Sequence, residues 1–362
     1  MQRFTTTLIP KPWSRRSAGR ALIAFGLGVA LGGNMAAAGA QDLPVLGQLP
    51  SFGGASSWLN SPPLGPAQLR GKVVLVDFWT YSCINCIRTF PHVRAWAEKY
   101  RDQGLVVIGA HTPEFGFEKD TSNITKAISR FKIDYPVAVD SERRVWNAFR
   151  NNAWPVFYFA DAQGRIRARI AGEGAYDKSE MIIQQLLAEA GKPQTAALAA
   201  PQASAEQAAP DLAHLGSEET YVGYEQASNF AGRDGLKRDA AHDYAMNAPR
   251  LNEWSLAGNW TVGAERANLN RAGGSVSYRF KARDLHLVLG PRADGKPVRF
   301  QVTIDGHAPG ADHGSDTDAD GNGVVTEARL YQLVRQSGMV KECTFEIRFL
   351  DAGAGAFAFT FG

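Results

Sequence analysis

VVLVDFWTYSCINCIRTFP, residues 73–91, is the stretch whose reading decides the fold. VVLVDFW (73–79) is an apolar run of the kind that forms a buried strand. Residues 83–100 then place Ile87, Phe90, Val93, Trp96, Ala97 and Tyr100 at three- and four-residue steps, the spacing of an amphipathic helix. Two of the chain's three cysteines, Cys83 and Cys86, fall at this strand–helix junction. Unpaired N–H groups and the helix dipole stabilise a thiolate in that position.

The pattern continues outward. LVVIGAH (105–111) predicts a second strand and NITKAISRFK (123–132) a second helix. PVAVD (136–140) predicts a short strand and SERRVWNAF (141–149) a helix. PVFYFADAQGRI (155–166) predicts two strands about a DAQG turn, and SEMIIQQLLAEAG (179–191) a closing helix with a glycine stop. Strands alternating with helices and ending in a hairpin imply a mixed α/β sheet covered on both faces, a domain spanning 41–190. Within it, residues 41–70 are rich in Pro, Gly and Ser and read as a loose leading segment with a short hairpin. Residues 191–216 are Ala-, Gln- and Pro-rich, without apolar periodicity, and read as a linker. Beyond them the period becomes two: Val276, Tyr278 and Phe280; Val298, Phe300, Val302 and Ile304; Phe345, Ile347 and Phe349; Phe357, Phe359 and Phe361. With glycine-rich breaks and little helix, residues 217–362 read as an all-β, jelly-roll-like sandwich.

The chain has 362 residues, enough for two domains, with 44% hydrophobic and 21% charged side chains, as in soluble globular proteins. Its first forty residues hold Arg3, Lys11, Arg15, Arg16 and Arg20 and no acid, followed by the apolar ALIAFGLGVALGG (21–33) and the small residues Ala38 and Ala40. That is the build of a secretory signal, 1–40, cleaved after Ala40; an uncleaved membrane anchor is the alternative. Arg15-Arg16 points to twin-arginine export. The remainder carries 34 basic against 36 acidic side chains, which gives no reason to expect nucleic acid as a partner. A periplasmic or otherwise exported chain meets conditions in which disulfides persist.

Three uses exist for a CxxC. Zinc needs about four ligands, and the third cysteine, Cys343, lies in the other domain. A disulfide across so short a loop removes little chain entropy and is a weak staple. A reversible dithiol suits the strand–helix junction: Cys83, at the helix start, would be the nucleophile, and Cys86, one turn in, would resolve the mixed disulfide.

VDFWTYSCINC resembles the active site of thioredoxin-fold, TlpA/redoxin-like proteins. The resemblance implies that Asp77, six residues before Cys83, is a buried carboxylate assisting proton transfer to Cys86, and that Trp79 packs beneath the disulfide. It also implies that Pro91 kinks the helix and that Trp154-Pro155 holds the family's cis-proline, with tryptophan where threonine is commoner. More narrowly, LRGKVVLVDFWTYSCINC, HTPEF, NAWPVFYFADAQGRI and GEG, then ETYVGY, RDLHLVL, YQLVRQ and FAFTFG, resemble the periplasmic region of DipZ-type disulfide transport proteins. That region joins a thioredoxin-like domain to a carbohydrate-binding-module-like one. The resemblance implies a thiol:disulfide oxidoreductase with protein thiols or disulfides as substrates and no cofactor beyond the redox-active disulfide Cys83–Cys86. It further implies a separate membrane electron donor of the DipZ/CcdA type. The intervening Ile84-Asn85 lacks the histidine of strong oxidants, which favours a reductase.

Other features carry rival readings. Thr80 matches the TxxC of peroxiredoxins, the basis for a thiol-dependent peroxidase, but Val76 stands where those enzymes have proline. Glu114, in HTPEF, is either a proton shuttle or partner contact near the cysteines or a solvated loop acid. His92 and His111 read as structural, and Cys343 as a buried thiol on an inward strand face. Asp316, Asp318, Asp320 and Glu327 have the spacing of a calcium loop, without its flanking helix; a tight acidic turn is the competing reading. Trp254, Trp260, Tyr221 and Tyr224 would either stack on sugar rings or fill the core. On the first of those readings the β-domain binds a glycan or a partner and the redox domain is accessory.

Overall fold

The computed structural model describes residues 42–193 and 197–362. The signal expected over 1–40 lies outside the described residues.

The first half is built on seven strands: β1 (Gly47–Gln48), β2 (Ser57–Leu59), β3 (Val73–Trp79), β4 (Leu105–His111), β5 (Val137–Val139), β6 (Val156–Ala160) and β7 (Arg165–Ala171). They order as β1-β7-β6-β3-β4-β5-β2, with β3, β4 and β5 parallel and the other pairs antiparallel. Its helices are α1 (Pro66–Leu69), α2 (Ile84–Tyr100), α3 (Thr121–Arg130), α4 (Arg144–Ala148) and α5 (Tyr176–Glu189).

Every residue of β3 is buried because helices cover both faces of the sheet. Side chains alternate along a strand, and the run divides accordingly. Val73, Leu75 and Trp79 join the core formed with α2 and α5, whereas Val74, Val76 and Phe78 join the core formed with α4. Asp77 shares the parity of Leu75 and Trp79, so the strand aims its one acid at the α2 layer.

The leading segment departs from the hairpin expected for it. β1 pairs with β7 and β2 with β5, at opposite edges of the sheet. The physical reason is that β5 and β7 would otherwise present unpaired backbone groups, and the segment is long enough to cover both edges. α5 begins at Tyr176, three residues before the apolar pattern suggests, after Ala175 in the left-handed region at φ 50°.

The second half contains β8 (Thr220–Tyr221), β9 (Ala241–Tyr244), β10 (Trp254–Val262), β11 (Ala267–Leu269), β12 (Ser275–Lys281), β13 (Asp284–Gly290), β14 (Val298–Ile304), β15 (Asn322–Val325), β16 (Arg329–Arg335), β17 (Glu342–Phe349) and β18 (Gly355–Phe361). The two layers of the expected all-β sandwich are one curled antiparallel sheet, ordered β15-β14-β17-β12-β10-β11-β18-β13-β16, with β8 on β18 and β9 on β10. Strand β10 turns the corner. Its first residues, Trp254–Ala257, pair with β12, and Gly258–Val262 pair with β9 and β11. Gly258 sits at the change with φ 92°, a conformation that costs a glycine little.

The halves share a core. Val288, Leu330, Phe357 and Ala358 of the second half belong to the same buried cluster as α2 and β3. Phe357 packs edge-on to Phe115 at 5.2 Å and to Phe117 at 4.8 Å. The connecting segment is strapped to the first half: Gln207 Nε2 donates to Ile87 O, Arg88 Nε to Ala208 O, and Arg94 to Gln202 O.

Candidate active site

β3 ends at Trp79, and four residues later Cys83 is the N-cap of α2 with extended backbone at φ −85° and ψ 115°. Its sulfur accepts a hydrogen bond of 3.4 Å from Cys86 N. Cys83 is half-buried and Cys86 wholly buried, and all three cysteines are free thiols. Burial, together with the adjacent Cys83 sulfur, pushes the Cys86 thiol well above its ordinary value. The asymmetry suits a nucleophile at 83 and a resolving thiol at 86. Pro91 lies inside α2 and is buried.

Asp77 is fully enclosed beneath the helix, and neither carboxylate oxygen has a hydrogen-bond partner. Burial pushes its carboxyl up to about 8. Its charge also raises the Cys86 thiol, so the two groups sense each other. A carboxyl that titrates near neutrality beside a thiol reluctant to ionise can take the proton that the thiol must lose. Trp79 is fully buried, edge-on to Phe90 at 5.1 Å and to His111 at 4.8 Å. Gly109 on β4 makes room for it, since a Cβ there would come within 2.6 Å of Trp79 Nε1. The Trp154–Pro155 peptide is cis. Trp154 lies 4.3 Å from Trp146, and the Arg143 guanidinium sits 5.1 Å over its ring.

Two further side chains enter the site that the sequence did not single out. Glu118 is wholly buried and collects four donors: Ser82 Oγ at 2.6 Å, Ser82 N at 3.3 Å, Glu114 N at 2.6 Å and Phe115 N at 3.0 Å. Burial outweighs these bonds and raises its carboxyl. Ser82 adjoins Cys83, so Glu118 fixes the turn from which the cysteine projects. Tyr81, on the same turn, stacks on His111 at 5.6 Å and donates to Phe117 O. The only sequence signal for Glu118 is an acid set among the aromatics of EFGFEK, which says nothing of its partners.

Glu114 is half-buried rather than solvated. It accepts the Tyr221 hydroxyl from the second half, and burial, followed by the charge of Glu219, pushes it up to about 8. His111 is enclosed, and burial lowers it to about 3, so its ring is neutral at physiological pH. Ring stacking on Tyr176 at 3.5 Å occupies His92.

Elsewhere the structure bears on two pairs of rival readings. Trp254 and Trp260 are 0% exposed, their indole N–H groups donating to Ser228 O and Ala257 O, because the curled sheet buries both segments of β10. They cannot stack on a sugar. Tyr224 donates to Asp239, and Tyr221 is committed to Glu114. The calcium spacing does not assemble a ligand set. Asp316 is taken by Arg329 and Gln332 N, Asp318 by Asn322 N in a tight turn, and Glu327 by Arg329. Asp320 stands exposed in that turn, and no group of three or more His, Cys, Asp or Glu among the described residues could hold a metal ion. Cys343 lies in the core of the second half, where burial raises its thiol.

Known proteins resemble both halves of the chain. The AhpC/TSA family matches residues 62–169, and a thioredoxin-like C-terminal domain family matches 217–362. Protein DipZ of Mycobacterium bovis is 37% identical over 277 residues, which is 73% of this chain and 39% of that protein. The chain therefore spans well under half the length of DipZ. Thiol-disulfide oxidoreductase YkuV of Bacillus subtilis is 30% identical over 141 residues, 39% of this chain and 95% of that protein. Among solved structures, a thioredoxin-like protein in the oxidized form is 31% identical with a TM-score of 0.37, covering 40% of this chain and 96% of that one.

Proposed function

The chain belongs to the thioredoxin-like thiol–disulfide oxidoreductases, and on that premise we propose that it is an exported protein-disulfide reductase working through Cys83 and Cys86. The Cys83 thiolate attacks a client disulfide, forming a mixed disulfide and releasing the first client thiolate. Cys86 gives its proton to Asp77 in its ionised form and attacks Cys83 Sγ. The mixed disulfide breaks, the second client thiolate leaves, and the Cys83–Cys86 disulfide remains. The client has gained two electrons and the protein has lost them. Turnover needs a dithiol or membrane donor to restore the pair, and the likeness to DipZ supports a membrane donor of that kind. The cycle calls for no cofactor beyond the cysteine pair.

The main support is the half-buried Cys83 at the cap of α2 with the buried Cys86 behind it and an unpartnered Asp77 beneath. Export is supported by the basic, apolar and small-residue sequence of 1–40. Among the described residues no helix is long and apolar enough to cross a membrane. A peroxidase is not favoured, since the relative matched over nearly its full length is named a thiol-disulfide oxidoreductase. The test is a Cys86→Ser variant incubated with an oxidised peptide: accumulation of a Cys83–peptide mixed disulfide by mass spectrometry supports the mechanism, and attack through Cys343 or no adduct refutes it.

A further inference from the structure

The loop from Thr112 to Lys119 is gripped from both sides. On the cysteine side, Glu118 accepts from Ser82 N and Oγ, and Tyr81 reaches Phe117 O. On the other side, the β-sheet half inserts Phe357 against Phe115 and Phe117, and Tyr221 donates to Glu114 Oε1. Glu114 N and Phe115 N in turn donate to Glu118. Bonds therefore tie Tyr221 to the Glu114 carboxylate, the Glu114 backbone N–H to Glu118, and Glu118 to Ser82, the residue next to Cys83.

Resting on the redox reading of that cysteine, we infer that Tyr221 is a positioning residue for the reaction, supplied by the second half, which acts on the Cys83 turn through Glu114 and Glu118. The tyrosine serves there as a neutral donor. Glu219 Oε2 lies 3.3 Å from its hydroxyl on one side and Glu114 on the other, so the phenol separates two carboxylates. Burial raises both acids, and each raises the phenol in turn. The charged groups facing Glu114 are Glu219 beside β8, Glu118 in its own loop and Arg143 at the start of α4, whose guanidinium also donates to Pro113 O. Lys119, Glu142 and Glu265 line the same cleft. Glu114 and Glu219 face each other across the phenol, and the Glu114 backbone joins the cysteine turn through the buried Glu118 carboxylate.

The test is the pH profile of Cys83 alkylation by iodoacetamide in the full, reduced chain. Tyr221→Phe keeps the ring against Phe115, 6.2 Å away, and removes only the donor. We expect the alkylation rate at pH 7 to change about threefold and the profile to shift, with the melting temperature little altered. Ser82→Ala, which removes the shorter of the two Ser82–Glu118 bonds at the other end, should change the rate too, and the double variant should be non-additive. Superimposable profiles for Tyr221→Phe and the parent, or strict additivity with Ser82→Ala, would overturn the assignment. Should Tyr221→Phe not fold, Glu114→Gln must reproduce the shift, and an unshifted profile there overturns it equally. Failure of the redox reading would show separately, as no disulfide exchange by the parent chain.

Discussion

The two halves bury their cores by opposite rules, and the difference explains which of them declares its chemistry. In the α/β half, strand β3 is apolar on both faces except at Asp77, so an acid without a hydrogen-bond partner stands out in the middle of the sheet. In the β half, the fully buried acid is spent on structure. Asp284, wholly enclosed, is held by Arg283 and Arg335 and lies 3.8 Å from Arg88 of α2. A buried acid held by arginines stabilises a fold or an interface; a buried acid without a partner beside a thiol is the mark of a reaction site.

The largest expected effect separates the halves outright. Cys83→Ser should lower disulfide reduction by at least roughly a thousandfold, whereas Cys343→Ser should leave it unchanged. Activity of both variants in a peptide-disulfide assay checks this, and an inactive Cys343→Ser would erase the distinction.

Asp77→Asn should slow reduction near pH 7 by about a hundredfold. It should also stabilise the chain. The folded carboxyl titrates at about 8 against 3.8 for an ordinary aspartate. Between those values the folded state holds a proton that the unfolded state gives up, so wild-type stability falls as pH rises through the window. Asparagine cannot ionise, and the variant's advantage in melting temperature should open from pH 5 to pH 8. A constant or shrinking gap would contradict the buried-acid account.

Phe357→Ala tests the seam between the halves. Its ring is 2% exposed and wedged against Phe115 and Phe117. Its loss should cost about 3–5 kcal/mol in denaturant unfolding, with accelerated hydrogen exchange in residues 112–119. A cost confined to the β half, with that loop unchanged, would mean the seam is passive. The smallest effect expected concerns the acidic turn at 316–327: calcium or a chelator should move the melting temperature by less than about 1 °C.

The same contrast governs what the sequence could convey. The strand–helix junction at 73–100 was legible because its periodicities, its CxxC and its capping position are all local. The site's core, Asp77, Trp79, Cys83 and Cys86, lies within ten residues. Glu118, Tyr221 and Phe357 were not legible as parts of one site, because their meeting depends on packing between segments more than a hundred residues apart. Trp254 and Trp260 were ambiguous for a different reason. Period-two alternation marks one face as buried, but β10 changes partners at Gly258 and is covered along its length. The edge strands β1 and β2 were read as a hairpin because two or three residues carry no period to fix their partners.

The measurement that bears most directly on the account is the reduction potential of the Cys83–Cys86 couple, by equilibrating the chain against glutathione and dithiothreitol buffers and counting alkylated thiols. A reductase fed by a membrane donor should lie near or below roughly −250 mV, at the thioredoxin end of the scale. A value near about −120 mV would make the protein an oxidant of its clients and contradict the assignment.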